Sequence, residues 1–162
     1  MTRILTVVLS MLLGAGGVAA AAAATAAPAG APARAGKPAA ASDGADAHIA
    51  AGRFGTVSVY IPAGRPKSAA IFLSGDGGWE LGVINMAKAL RDQGAVVIGA
   101  DIRHYLAKLG EAAAKPDAPC QSIAADFEAL SHQVQKEIGA REYHVPVLVG
   151  YSSGATVVYG AL

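Results

Sequence analysis

Gly150-Tyr151-Ser152-Ser153-Gly154 sets a serine between two glycines, directly after the apolar run Val147-Leu148-Val149. G-x-S-x-G behind a buried strand is the pattern of a sharp strand-to-helix turn that lifts its central serine above a sheet edge. Ser152 is then a nucleophile for a carbonyl carbon. The oxyanion it creates needs backbone donors, and the N–H of Ser153 opens the following helix, where the dipole favours negative charge. A second donor is expected from the loop after an earlier strand. Ser74-Gly75-Asp76 occupies that place, so the Asp76 N–H is the candidate. Gly150 and Gly154 are the elbow glycines, needed because the turn crowds its neighbours. The competing reading makes Ser152 only a small residue at a tight turn.

Asp76 and Trp79 share the glycine-rich loop Ser74-Gly75-Asp76-Gly77-Gly78-Trp79. A carboxylate aimed into an oxyanion hole would repel the developing charge. The Asp76 side chain is therefore expected to point outward, either to a cationic part of a substrate or into an Asx turn. Trp79, the only tryptophan, either packs under the loop or offers substrate a platform. Gly75-x-Gly77-x-x-Glu80 lacks the third glycine of a dinucleotide fingerprint, and no Lys-Ser or Lys-Thr follows the loop as a P-loop requires.

In this arrangement the acid and the histidine follow the serine in chain order. His48, His104, His132 and His144 all precede Ser152, and Ser153 to Leu162 holds no Asp, Glu or His. The expectation is an N-terminal fragment of a longer protein, itself inert, with the sheet C-terminally truncated. His104, near the strand end at Asp101, is the first candidate for an unusual base and otherwise a surface residue. His132 and His144 read as ordinary.

The elements that position these residues alternate. Phe54 to Ile61 reads as a half-buried strand, and Ala69 to Leu73 as a strand buried on both faces. A helix is expected from Glu80 to Gln93, capped by Gly94. Ala95 to Ile98 is the next strand. Lys108 to Pro119 is polar and reads as a mobile connection. Ile123, Phe127, Leu130, Val134 and Ile138 repeat at helical spacing, a clear amphipathic helix ended by Gly139. Val145 to Val149 leads into the elbow. Short buried strands joined by helices predict an α/β fold: an α/β-hydrolase-like parallel sheet with helices on both faces.

Length and charge narrow the function. The 162 residues allow one domain. Thirteen Lys and Arg against twelve Asp and Glu give a net charge of +1, without the basic excess of a nucleic-acid binder. A single cysteine, Cys120, excludes an intrachain disulfide and a multi-cysteine zinc site. No metal or cofactor is expected. Arg3, the apolar run Ile4 to Leu13 and the A-x-A choices that follow predict a cleaved signal peptide over 1–27, with an uncleaved anchor as the alternative. Residues 28–51, rich in Ala, Pro and Gly, read as a flexible tether. The folded unit is 52–162, and export implies the periplasm.

SGDGGW (Ser74 to Trp79), ELGVINMAKAL, AADFEALSHQVQK and PVLVGYSSGATVVYGAL together resemble the AcvB/VirJ family of periplasmic bacterial virulence proteins. The likeness runs from about Phe54 to Leu162 and is closest to the N-terminal domain of the longer, two-domain members. Their C-terminal domain typically reads GYSFGAD where this chain reads Gly150 to Thr156. The resemblance implies an exported serine hydrolase that removes the aminoacyl group from lysyl-phosphatidylglycerol. Its substrate would be an aminoacyl-phospholipid at the membrane surface, with a secretion-system partner possible in virulence. Ser152 carries over as the nucleophile, and the lysyl headgroup would suit an outward-facing Asp76. The alternative is a non-catalytic periplasmic binding or secretion-assembly domain with the same fold.

Overall fold

The computed structural model describes residues 43–79 and 82–162. The signal-peptide assignment, the tether as far as residue 42, and Glu80 and Leu81 at the expected helix start lie outside the described residues.

Among the described residues, five strands form one sheet: β1 (Ala47–Ala50), β2 (Thr56–Tyr60), β3 (Ser68–Leu73), β4 (Ala95–Ala100) and β5 (Pro146–Gly150). Among the described residues, four α-helices join or follow them, α1 (Gly82–Asp92), α2 (Ile102–Ala113), α3 (Ile123–Glu137) and α4 (Ser153–Gly160), and a short 3-10 turn, Gly52–Phe54, links β1 to β2. The strand order is β1-β2-β4-β3-β5.

The all-parallel expectation is corrected. β3 runs parallel to both β4 and β5, but β2 is antiparallel to β1 and to β4. The physical reason is the link between β2 and β3, residues 61–67, which is too short for the crossover of about a dozen residues that parallel strands need. β3 must therefore start at the end of the sheet where β2 stops.

The tether reading is corrected at its end. Ala47–Ala50 pairs with β2, Ala47 opposite Val59 and Ala50 opposite Thr56. Ile49 is the buried side chain of this strand and enters the core. The exposed edge of β2 supplies the hydrogen-bond partners that composition alone does not reveal. Asp46 adds a tie, its Oδ2 accepting from the Ile61 N–H at 2.7 Å.

Alternation along the strands divides the core between two faces. Val59, Ile71, Leu73, Val96, Ile98 and Leu148 face Tyr105 of α2, Phe127, Leu130 and Val134 of α3, and Val158 of α4. Tyr60, Phe72 and Val97 face Val83 and Ala87 of α1. Helices thus cover both faces, as expected. Each buried Phe, Leu or Val side chain contributes about 1.5–3 kcal/mol relative to exposure.

α3 forms where its stripe predicts. Ser122 caps it, Oγ accepting from the Ala125 N–H at 3.2 Å. At the other end the Gly139 N–H bonds Lys136 O and the Ala140 N–H bonds Gln135 O, the paired bonds of a Schellman stop. α2 corrects the reading of Lys108 onward as a mobile connection, since the helix runs to Ala113. Its attachment rests on two fully buried side chains, Ile102 and Tyr105. Tyr105 stacks on Phe54 with ring centroids 4.5 Å apart, and its hydroxyl donates to Asp126 at 3.0 Å. Burial, then the Asp126 carboxylate, push the Tyr105 hydroxyl well above the ordinary tyrosine range.

Candidate active site

β5 ends at Gly150, and α4 begins at Ser153 with Ser152 as its N-cap. The turn between them forces Ser152 to φ 53° and ψ −124°. A non-glycine residue held there costs on the order of 1–3 kcal/mol and persists only where the surroundings fix it. Here they do. The Tyr151 N–H donates to Leu73 O at 3.0 Å, and the Gly154 and Ala155 N–H groups close the turn onto Tyr151 O and Ser152 O. Ser152 is left exposed at the carboxyl end of the parallel strands, the edge at which α/β sheets carry their ligands.

The two elbow glycines are required by close approach. A Cβ on Gly150 would stand 2.5 Å from the Ala155 N and Cα atoms, and one on Gly154 would overlap Ser74 O and stand 2.7 Å from Leu73 O. α4 therefore packs its first turn directly on the end of β3.

The glycine loop after β3 meets the elbow face to face. A Cβ on Gly75 would stand 3.0 Å from Ser152 Cβ. Ser74 is fully buried, and its Oγ accepts from the Ile102 N–H at 3.1 Å, tying β3 to the start of α2. Asp76 is exposed, and its Oδ1 accepts from Ser153 Oγ at 2.8 Å. The carboxylate is thus engaged in a cross-loop bond to the first residue of α4. Ser153 is the first residue of α4, where a helix leaves its N–H without an intrahelical partner. The two candidate oxyanion donors, the N–H groups of Asp76 and Ser153, belong to these two touching loops.

Trp79 lies against the sheet. Its ring crosses the backbone of Gly99, meets Phe72 edge-on at 5.6 Å, and donates through Nε1 to Tyr60 Oη at 3.3 Å. These are packing contacts beneath the loop. Burial holds the Tyr60 hydroxyl up at about 12.

Asp101 and Arg103 anchor the far end of the loop, and the sequence reading gave neither a role there. Asp101 Oδ1 accepts from the Arg103 N–H and Nε, and Oδ2 accepts from Nη2 at 2.6 Å. The pair lies over Gly78, whose φ of 82° and lack of a Cβ admit the guanidinium. Hydrogen bonding to Arg103 holds the Asp101 carboxyl below the usual range, with burial opposing and the Trp79 N–H assisting. The available signal was an aspartate at a strand end two residues before an arginine.

The four histidines lie elsewhere. His104 sits against Gly55, just before β2. β4 and β3 separate β2 from β5, three spacings or about 14 Å across the sheet, and His104 makes no hydrogen bond to Ser152. His48 lies opposite Ser58 on β1, the far edge strand. His132 stacks on Tyr143 and pairs with Glu128 at 3.0 Å, and His144 precedes β5 at its amino end. Among the described residues, none hydrogen-bonds Ser152 Oγ.

A sheet in the order 1-2-4-3-5 with its second strand reversed, a serine at a strained strand-to-helix turn after the fifth strand, and a glycine loop after the third define an α/β-hydrolase-like protein. The family model for the bacterial virulence protein VirJ matches residues 67–162, well over half of the chain, and the chain belongs to that family. No curated protein matches it. Among solved structures, a lipase in its open form is similar with 21% identity and a TM-score of 0.44, over 70% of this chain and 38% of the lipase. The chain thus spans well under half the length of that lipase.

Proposed function

We propose that this chain carries the nucleophile of an exported bacterial serine hydrolase that cleaves the aminoacyl ester of lysyl-phosphatidylglycerol. The observation that carries the reading is Ser152 at φ 53° and ψ −124°, exposed between β5 and α4. In this proposal Ser152 Oγ attacks the ester carbonyl carbon and passes its proton to an imidazole. The oxyanion is held by the N–H groups of Ser153 and Asp76. The bond to the glycerol oxygen then breaks as that oxygen takes the proton, and water releases lysine from the acyl-enzyme. In the usual chain order the acid and the base of such a hydrolase follow the serine, and none of the four histidines here hydrogen-bonds Ser152. The Asp76 carboxylate supplies negative charge at the rim, which favours an ammonium-bearing acyl group. Export through a signal peptide over 1–27 would bring the site to periplasmic membrane surfaces.

The test is lysine release from vesicles containing lysyl-phosphatidylglycerol by the protein as its bacterium expresses it. Ser152→Ala is expected to lower the rate by at least about 10³-fold. Undiminished release would remove Ser152 from the chemistry.

A second reading has its own support, because no described residue hydrogen-bonds Ser152 Oγ. In it the domain binds lipid or a secretion partner without turnover, and Ser152→Ala leaves binding intact.

A further inference from the structure

Three features of the glycine loop bear on how its donor is held. Its near end touches the elbow, with Gly75 against Ser152. Its far end is pinned by Asp101 and Arg103 over Gly78. Between them, Asp76 and Gly77 are exposed. The Gly78 N–H closes the stretch as a turn onto Gly75 O at 2.9 Å, and Asp76 and Gly77, the middle residues of that turn, lie in neither strand nor helix. The one side-chain bond that crosses from this stretch to the elbow is Ser153 Oγ to Asp76 Oδ1, at 2.8 Å. It joins the side chains of the two residues whose backbone N–H groups are the candidate oxyanion donors.

We propose that Asp76 and Ser153 form a clasp that positions the oxyanion hole, and that accepting the Ser153 hydroxyl, not carrying charge, is what the turnover rate requires of Asp76. This deepens the hydrolase reading and rests on Ser152 as the nucleophile. A preorganised donor gains its value from not having to reorganise as charge develops. A displacement of about 1 Å in such a group costs up to about 10²-fold in rate. Opening the clasp frees the loop to rotate its N–H away while leaving the elbow, held by backbone bonds to Leu73 and Tyr151, in place. The loss therefore falls on kcat. Charge is a separate property of Asp76, because its second oxygen, Oδ2, is not used by the bond to Ser153. An asparagine keeps an acceptor oxygen for Ser153 and loses the charge. Ser153→Ala keeps the charge and loses the clasp.

The experiment measures kcat and KM of the protein as its bacterium expresses it, on a neutral short-chain activated ester and on a lysyl ester of the same leaving group. Ser153→Ala and Asp76→Ala are expected to lower kcat on the neutral ester by about tenfold to a hundredfold, with KM within about twofold. The double variant should be no slower than the slower single variant, since one bond is lost only once. Asp76→Asn, which keeps an acceptor oxygen for Ser153, should lose less kcat on the neutral ester than Asp76→Ala and raise KM on the lysyl ester alone. Ser153→Thr, which retains a hydroxyl, should restore turnover. Unchanged kcat in Ser153→Ala, or an Asp76→Asn loss as deep as that of Asp76→Ala, would overturn the clasp while Ser152→Ala remains inactive. Turnover surviving in Ser152→Ala would instead overturn the nucleophile reading, and the clasp with it.

Discussion

Gly154 stands directly on Ser74, so that a Cβ added to Gly154 would overlap the Ser74 carbonyl oxygen. The first turn of α4 thus rests on the end of β3 and on the residue that follows it. Neither can shift without the other, because both obstructing atoms, Ser74 O and Leu73 O, are backbone. Gly154→Ala should destabilise the fold by about 1–3 kcal/mol, the usual cost of overpacking. It should also displace Ser152. A chemical-denaturation midpoint unchanged from wild type would show that the two elements are not in this contact.

Trp79 reports on the opposite face of the same loop. Its ring occupies the space that a side chain at position 99 would need. Gly99→Ala should expel the indole from its place against Phe72 and Tyr60, shifting tryptophan emission to the red and lowering the thermal midpoint. As Trp79 is the only tryptophan, the spectrum needs no deconvolution. An unshifted emission maximum would contradict the placement.

Asp101 gives the loop a pH dependence. Its folded carboxyl titrates below the ordinary value because of Arg103. A carboxyl of depressed folded pKa contributes stability above its unfolded pKa, about 3.9. That contribution is lost as pH falls through the folded value. Denaturation midpoints measured from pH 6 down to pH 3 should therefore fall less steeply in Asp101→Asn than in wild type. Parallel curves would mean that the Asp101–Arg103 fork carries no linkage.

Phe127 packs α3 against α2 and the turn before β2, meeting Phe54 at 5.7 Å and Tyr105 at 5.8 Å. Phe127→Ala should cost about 3–5 kcal/mol, a large share of the roughly 5–15 kcal/mol of a domain. Equilibrium unfolding by urea measures it directly, and a loss under about 1 kcal/mol would place Phe127 outside the core.

The sequence carried the interior better than the margins. β3 and β4 are legible because strands buried on both faces must be continuously apolar, and β5, only half-buried on one face, is legible because Val147, Leu148 and Val149 are all apolar. α3 is legible because Phe127, Leu130 and Val134 fall on one face. β1 is not, since Ile49 is the one large apolar side chain in a run set among alanines. α2 hides for a similar reason, holding the core through Ile102 and Tyr105 while Arg103, His104, Lys108 and Glu111 mark it as polar. The elbow and its partner loop were legible as glycine patterns, because close backbone approach leaves no alternative to glycine. The bonds between them were not. Asp76 meeting Ser153, or Arg103 lying over Gly78, depends on the order β4-β3-β5, which brings together residues far apart in the chain.

The central claim is that Ser152 is a nucleophile. Its most direct measurement is covalent labelling of the protein as its bacterium expresses it with a fluorophosphonate probe, followed by peptide mapping. The account predicts one adduct, on Ser152, absent in Ser152→Ala and slowed in Ser153→Ala. An unlabelled Ser152 in folded protein, or an adduct mapping only to another serine, would contradict it.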